Sequence, residues 1–144
     1  MPAELVVEAT VTAAPAAVWH AWTTNAGIQA FLAPTSNVAL AIGGPYEIHF
    51  DLDQPVGLRG SEGCKVLSYL PERMLSFSWN APPAFPALRA GPHTWVVVEL
   101  TPAGTGTRVV LTHLGYGEGE DWDALRAYFT RAWGIVMERL AALP

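Results

Sequence analysis

DWDALRAYFTRAWGIVMERLAAL, residues 121 to 143, decides the fold. Leu125, Tyr128, Phe129, Ala132, Trp133, Val136, Met137 and Leu140 recur at steps of three and four, so they share one broad face of a helix. Asp123, Arg126, Thr130, Arg131, Glu138 and Arg139 lie elsewhere around it. Asp121 suits the N-cap and Asp123 the first turn, where exposed amides favour negative charge. Arg139 falls in the last turn, where the carbonyls favour positive charge. Gly134 costs about 1 kcal/mol relative to alanine in mid-helix, so the helix depends on tertiary packing, and the position invites close approach. An apolar face this wide needs a large cover, and a sheet is the expected one.

The upstream chain supplies it. Leu5, Val7, Ala9 and Val11 alternate with Val6, Glu8, Thr10 and Thr12, the period of a strand with one buried face. Pro15 opens a short helix carrying Val18, Trp19 and Trp22, although Ala14 before it has no capping oxygen. Asn25 is the expected cap of a second short helix with Ile28, Phe31 and Leu32, ended by Pro34. A meander then runs through 37–42, a Gly43-Gly44-Pro45 turn, and 46–52, where Tyr46, Ile48, Phe50 and Leu52 face away from Glu47, His49 and Asp51. Further strands are expected at 60–70, at 74–79 with Leu75, Phe77 and Trp79 on one side, at 94–101 and at 107–114. The last two are joined by a turn at 102–106. Residues 80–92 hold four prolines and read as a surface loop carrying Phe85 and Leu88, either a connector folded onto the body, a lid or a dimer contact. No repeat or change of composition divides the chain, so residues 1–144 form one domain of about seven strands.

Composition narrows the function. Hydrophobic residues make up 51% and charged residues 15%, with six tryptophans, which excludes disorder and leaves a choice between a filled core and a partly hollow one. The net charge of −5, with only eight scattered Lys and Arg, argues against nucleic acid or an anionic membrane as partner. Cys64 is the single cysteine, so an intrachain disulfide and a multi-cysteine zinc site are excluded, and its strand setting beside Val66 reads as a buried, inert thiol. The start, MPAELVVEAT, does not look like a signal peptide, and no apolar run is long enough to span a membrane, so the cytoplasm is the expected location.

The order of strand, two short helices, meander and long final helix, with four local motifs, resembles a known family. The motifs are AAPAAVWHAWTTNAGIQAF, GGPYEI, GCKVLSYLPERMLSFSW and TWVVVELTPAGTGTRVVLTHLGY. The chain resembles the START-like, or SRPBCC, superfamily, and within it the branch named after the activator of heat-shock-protein ATPase. The resemblance implies an α+β helix-grip fold: a curved antiparallel sheet wrapped around the long C-terminal helix, with a cavity between them. The chain departs from the family at Ala14, commonly a serine, and in the proline-rich loop.

Residues expected to face that cavity are Tyr46, Ile48, Phe50, Phe77, Trp79, Val96, Val98, Val109, Leu111 and His113 from the sheet. Trp22 and Phe31 come from the short helices, and Tyr128, Phe129 and Trp133 from the long one. For any one of them taken singly, packing in the core is the commoner reading. His113 shares a face with Val109 and Leu111 near Tyr116, so it could orient a ligand, act as acid or base, or be a satisfied core histidine. The four histidines show no metal-binding spacing, no nucleophile with an adjacent base stands out, and no cofactor motif occurs. Three functions fit. The first is binding of a small hydrophobic or aromatic molecule in the cavity, and the second is an enzyme of the polyketide-cyclase type using His113, Tyr46 and Tyr116. The third is co-regulation of a chaperone ATPase, as the branch name suggests.

Overall fold

A computed structural model of the protein describes residues 4–144. The expectation that the N-terminus is no signal peptide falls partly on residues 1–3 and lies to that extent outside the described residues. The elements, in chain order, are β1 (Leu5–Val11), α1 (Pro15–Thr23), α2 (Asn25–Phe31), β2 (Thr35–Val38), β3 (Tyr46–His49) and β4 (Val66–Leu70). Then follow β5 (Met74–Trp79), α3 (Pro86–Ala90), β6 (Thr94–Ala103), β7 (Gly106–Leu114) and α4 (Glu120–Ala141). Five strands pair antiparallel in the order β1-β7-β6-β5-β4, while β2 and β3 form a separate pair. Residues 59–66 join the two sheets through backbone bonds, Tyr46 N–H to the Cys64 carbonyl at 2.8 Å, Ser61 N–H to Ile48 at 3.0 Å and Val66 N–H to Gly44 at 2.8 Å. The result is the α+β arrangement the sequence implies, a curved sheet with a long helix across its concave side.

The helix face is as read, with Ala132 half-buried at its edge and Tyr128 turned outward. Leu125, Phe129, Trp133, Val136, Met137 and Leu140 are buried, but Tyr128 is 42% exposed. They meet Val96, Val98, Val109 and Leu111 from β6 and β7 and Phe77 from β5, all of which are buried. The start of α4 differs from expectation. Gly119, at φ 121°, holds the cap position with no side-chain bond, because the link enters the helix through a backbone turn open to glycine; Glu120, Asp121 and Asp123 all fall in the first turn. At Gly134 no neighbour lies within 4 Å of where a Cβ would stand, so no element approaches the helix there.

Other boundaries move for local reasons. Thr24, not Asn25, caps α2, its Oγ1 accepting the Gly27 N–H at 2.9 Å. The Asn25 side chain instead clamps β2, accepting from Val38 N–H at 2.9 Å and donating to the Val38 carbonyl at 3.2 Å. That clamp places β2 at Thr35–Val38, earlier than the predicted 37–42, and residues 39–44 become a turn. β3 ends at His49 because the backbone of Phe50 pairs with Arg59 across a loop, so Phe50 and Leu52 do not continue the buried face of Tyr46 and Ile48; each is 42% exposed. The strand expected from residue 60 begins only at Val66. The β6–β7 pairing runs on to Ala103 opposite Gly106, leaving a two-residue turn where five residues were expected. In the proline-rich loop Pro86 starts the short α3, and Phe85 and Leu88 pack against the core. Arg89 pins this segment to the body, donating to the carbonyls of Ala81 at 2.8 Å and Gly57 at 2.7 Å and pairing with Glu62 at 3.4 Å. A connector folded onto the body is the arrangement found.

Candidate ligand cleft

His113 sits opposite Leu5 and Val96 in the sheet register and is fully buried. Its Nδ1 receives the indole N–H of Trp133 at 3.0 Å, and the Tyr116 hydroxyl lies 2.9 Å from the same nitrogen. An indole nitrogen can only donate, so Nδ1 must accept and the ring is neutral with its proton on Nε2. Nε2 then donates to Thr94 Oγ1 at 2.7 Å, and that hydroxyl donates onward to the Trp79 carbonyl at 3.1 Å. Burial pushes the His113 pKa down to about 3, because an apolar site disfavours the charged ring. Burial also holds the phenol of Tyr116 well above its ordinary value, with nearby Arg126 pulling the other way. Tyr46 is likewise buried, donates to the Trp22 carbonyl at 2.7 Å, and has its phenol pushed far up by burial. These groups tie α4 to β5, β6 and β7 and orient the Trp133 ring. A histidine with both nitrogens engaged and no opening to a cleft is a fixed structural hub.

The open space lies beside the hub. One cleft of about 320 Å³ is bounded by Phe50, Asp51, Gln54, Leu58, Arg59 and Gly60 on the loop after β3, by Trp79, Asn80 and Pro82–Ala84, and by Tyr128 and Phe129 of α4. An adjoining cleft of about 220 Å³ shares Phe50, Trp79, Tyr128 and Phe129 and runs along α4 past Trp133 and Val136 to Arg139. A third, of about 710 Å³, continues from Phe50 and Arg139 toward Phe31 and Leu32 at the end of α2. Rings face one another across this region: Phe50 with Trp79 at 6.2 Å, Trp79 with Trp133 at 5.3 Å and Phe129 with Trp133 at 6.2 Å between centroids. An aromatic-walled groove with few polar groups is the usual form of a site for an apolar molecule.

The predicted residues therefore divide. Phe50, Trp79, Tyr128, Phe129 and Trp133 line the two adjoining clefts, and Phe31 lines the third. Trp22, Tyr46, Ile48, Phe77, Val96, Val98, Leu111 and His113 lie in filled core and line none of the three, as does Val109. Tyr46 and Phe77 stack at 4.2 Å, which fills the space that a wider curvature would have left hollow. Sequence reading missed Asn80, Arg59 and Arg139, because the first follows a strand end and the others carry no periodic signal. Asn80 is 8% exposed, and its Nδ2 donates to the Glu62 carbonyl at 3.4 Å. Cys64 is buried and away from the cleft walls, its thiol pushed up to about 12 chiefly by burial. Among the described residues no His, Cys, Asp and Glu side chains group as a metal site, and no helix is long and apolar enough to cross a membrane.

A family model described as "Activator of Hsp90 ATPase homolog 1-like protein" matches residues 12–143. The chain belongs to this AHSA1 family. Its fold is that of MLL2253 from Mesorhizobium loti, with TM-score 0.77 and 26% identity over 96% of this chain and 94% of that one. The Aha1 dimer from Colwellia psychrerythraea superposes at TM-score 0.71, with 18% identity over 97% of this chain and 94% of that one. DynU16, a protein of the dynemicin biosynthetic locus, superposes at 0.69 with 18% identity over 98% of this chain and 46% of its own. No curated protein matches the sequence.

Proposed function

We propose that this AHSA1-family protein binds one small hydrophobic or aromatic molecule in the adjoining clefts between the loop after β3, the end of β5 and α4. The observation that carries this reading is the meeting of Phe50, Trp79, Tyr128 and Phe129 on the walls of both clefts. Trp133 extends the surface, and its orientation is fixed by the bond to His113. The two aromatic residues at the mouth, Phe50 and Tyr128, are each 42% exposed, so the groove opens to solvent without rearrangement. DynU16, from a biosynthetic locus, is consistent with a fold that handles small molecules. Binding is favoured over turnover because His113, the candidate acid or base, is occupied on both nitrogens, and neither it nor Tyr46 nor Tyr116 lines a cleft. The third function, action on a chaperone ATPase, gains only a family name.

Native mass spectrometry of freshly purified protein, followed by solvent extraction, tests the reading. A discrete added mass, released as an aromatic or apolar compound, is expected. A bare protein mass together with no saturable uptake of aromatic probes would contradict it.

A further inference from the structure

The walls of the cleft of about 320 Å³ are apolar except at a few points, and one of these differs from the rest. Asp51 and Gln54 lie on the exposed loop, where water satisfies them. Asn80 is buried, directly follows Trp79, and lies in the same wall as Phe129. The orientation of its carboxamide is set by chemistry: the Glu62 carbonyl 3.4 Å away can only accept, so Nδ2 faces it and Oδ1 points the other way. Among the described residues no group donates to Oδ1. Among the described residues the enclosed side-chain polar atom that lacks a partner is Trp22 Nε1, so Oδ1 is open to solvent, and Asn80 lines the cleft. Solvent meets this acceptor in the free protein, and a ring that covers the wall displaces that water, which costs affinity unless the ring itself donates to Oδ1.

We infer that Asn80 Oδ1 is the specificity-determining contact of the cleft, and that the ligand is an aromatic molecule carrying a hydroxyl or N–H donor at the end that reaches it. This rests on the proposed binding function and narrows it to a class: phenol-like or indole-like compounds over hydrocarbons and ethers of the same shape. The donor is placed where the ring plane is held by Trp79 and Phe129, so a hydroxyl on the ring edge meets Oδ1 while the ring covers the apolar wall. Arg59, also on the cleft wall, supplies donors and no acceptor, so it does not compete for this role.

The test compares 2-naphthol with 2-methoxynaphthalene by calorimetric titration, on the full chain and on Asn80→Leu. The unaltered protein should bind the naphthol about three- to tenfold more tightly, the range expected for one net hydrogen bond. Asn80→Leu should lose that preference, so that naphthol and ether bind it with equal affinity. Equal affinity of the unaltered protein for the two probes would overturn the inference and leave the cleft as a site for apolar rings. A preference that survives in Asn80→Leu would also overturn it, by assigning the contact elsewhere. Saturable binding of neither probe would overturn this inference and the proposed function together. If Asn80→Leu does not fold, equal affinity of the unaltered protein for the two probes still overturns the inference, and Asn80→Ala replaces the variant in the second comparison.

Discussion

Tyr128→Ala separates ligand binding from folding better than any other cleft substitution. Tyr128 is 42% exposed and makes edge contacts with Phe85 at 6.2 Å and Phe129 at 5.2 Å between ring centroids. Removing a fully buried aromatic side chain costs about 3–5 kcal/mol, so a half-exposed one with edge contacts should cost about 1–2 kcal/mol of stability. Its loss to a bound ring is larger in proportion. If about 50 Å² of the phenol is covered by ligand, burial at about 25 cal/mol per Å² contributes about 1.2 kcal/mol. A ring–ring contact adds about 0.5–1.5 kcal/mol. Affinity for 2-naphthol should therefore fall about 20- to 100-fold. Trp95→Ala is the matched control: Trp95 is 41% exposed but lies on β6, away from every described cleft. Calorimetric titration gives the affinities, and urea unfolding confirms that both variants are folded. Undiminished binding by Tyr128→Ala, or an equal loss in Trp95→Ala, would refute the reasoning.

Three further outcomes are expected. In the unfolded chain His113 gains a proton as pH falls through about 6.5, whereas in the folded chain it does so only near about 3. Its contribution is therefore complete above about pH 6.5 and is lost on acidification, by up to about 1.4 kcal/mol per pH unit. Urea midpoints at pH 7.5 and 5 should show a shallower loss in His113→Gln than in the unaltered protein, and identical slopes would count against the assigned neutral ring. Gly134→Ala should raise stability by about 0.5–1 kcal/mol, since a methyl there meets nothing, and thermal unfolding would show a lowered midpoint if that space were in fact filled. Cys64 should react with a thiol reagent only when urea opens the fold, because it is 1% exposed and its thiol is held protonated; fast labelling of the native protein would contradict that burial.

Much of the fold was legible because its signals are periodic. The α4 stripe and the alternation through β1, β5, β6 and β7 each name a buried face, and each face needs the others. What escaped was set by hydrogen bonds between segments apart in sequence. Asn25 carries a capping side chain, yet its amide holds Val38, thirteen residues on, and so moves a strand. Strict alternation turns Phe50 inward, but a backbone bond to Arg59 ends the strand one residue too early for that. The site was half legible for a related reason. Aromatic residues at inward positions can be found from period alone, but period does not separate Phe77, stacked on Tyr46 in filled core, from Trp79, two residues later on a cleft wall. Alternation turns His113 to the inner face, and only its three partners reveal that it braces the wall. Asn80 carries no pattern at all; its meaning comes from a carbonyl at Glu62, eighteen residues earlier.

The central claim is that an aromatic molecule occupies the groove walled by Phe50, Trp79, Tyr128 and Phe129. Nitrogen–proton correlation NMR during titration with 2-naphthol tests it most directly. The account predicts saturable, single-site shifts concentrated at the amides of Phe50, Trp79, Asn80, Tyr128 and Phe129 and at the Trp79 and Trp133 indole signals, with Trp95 unmoved. Shifts that never saturate, or that centre on the separate cleft at residues 70–74 and 99–102, would contradict it.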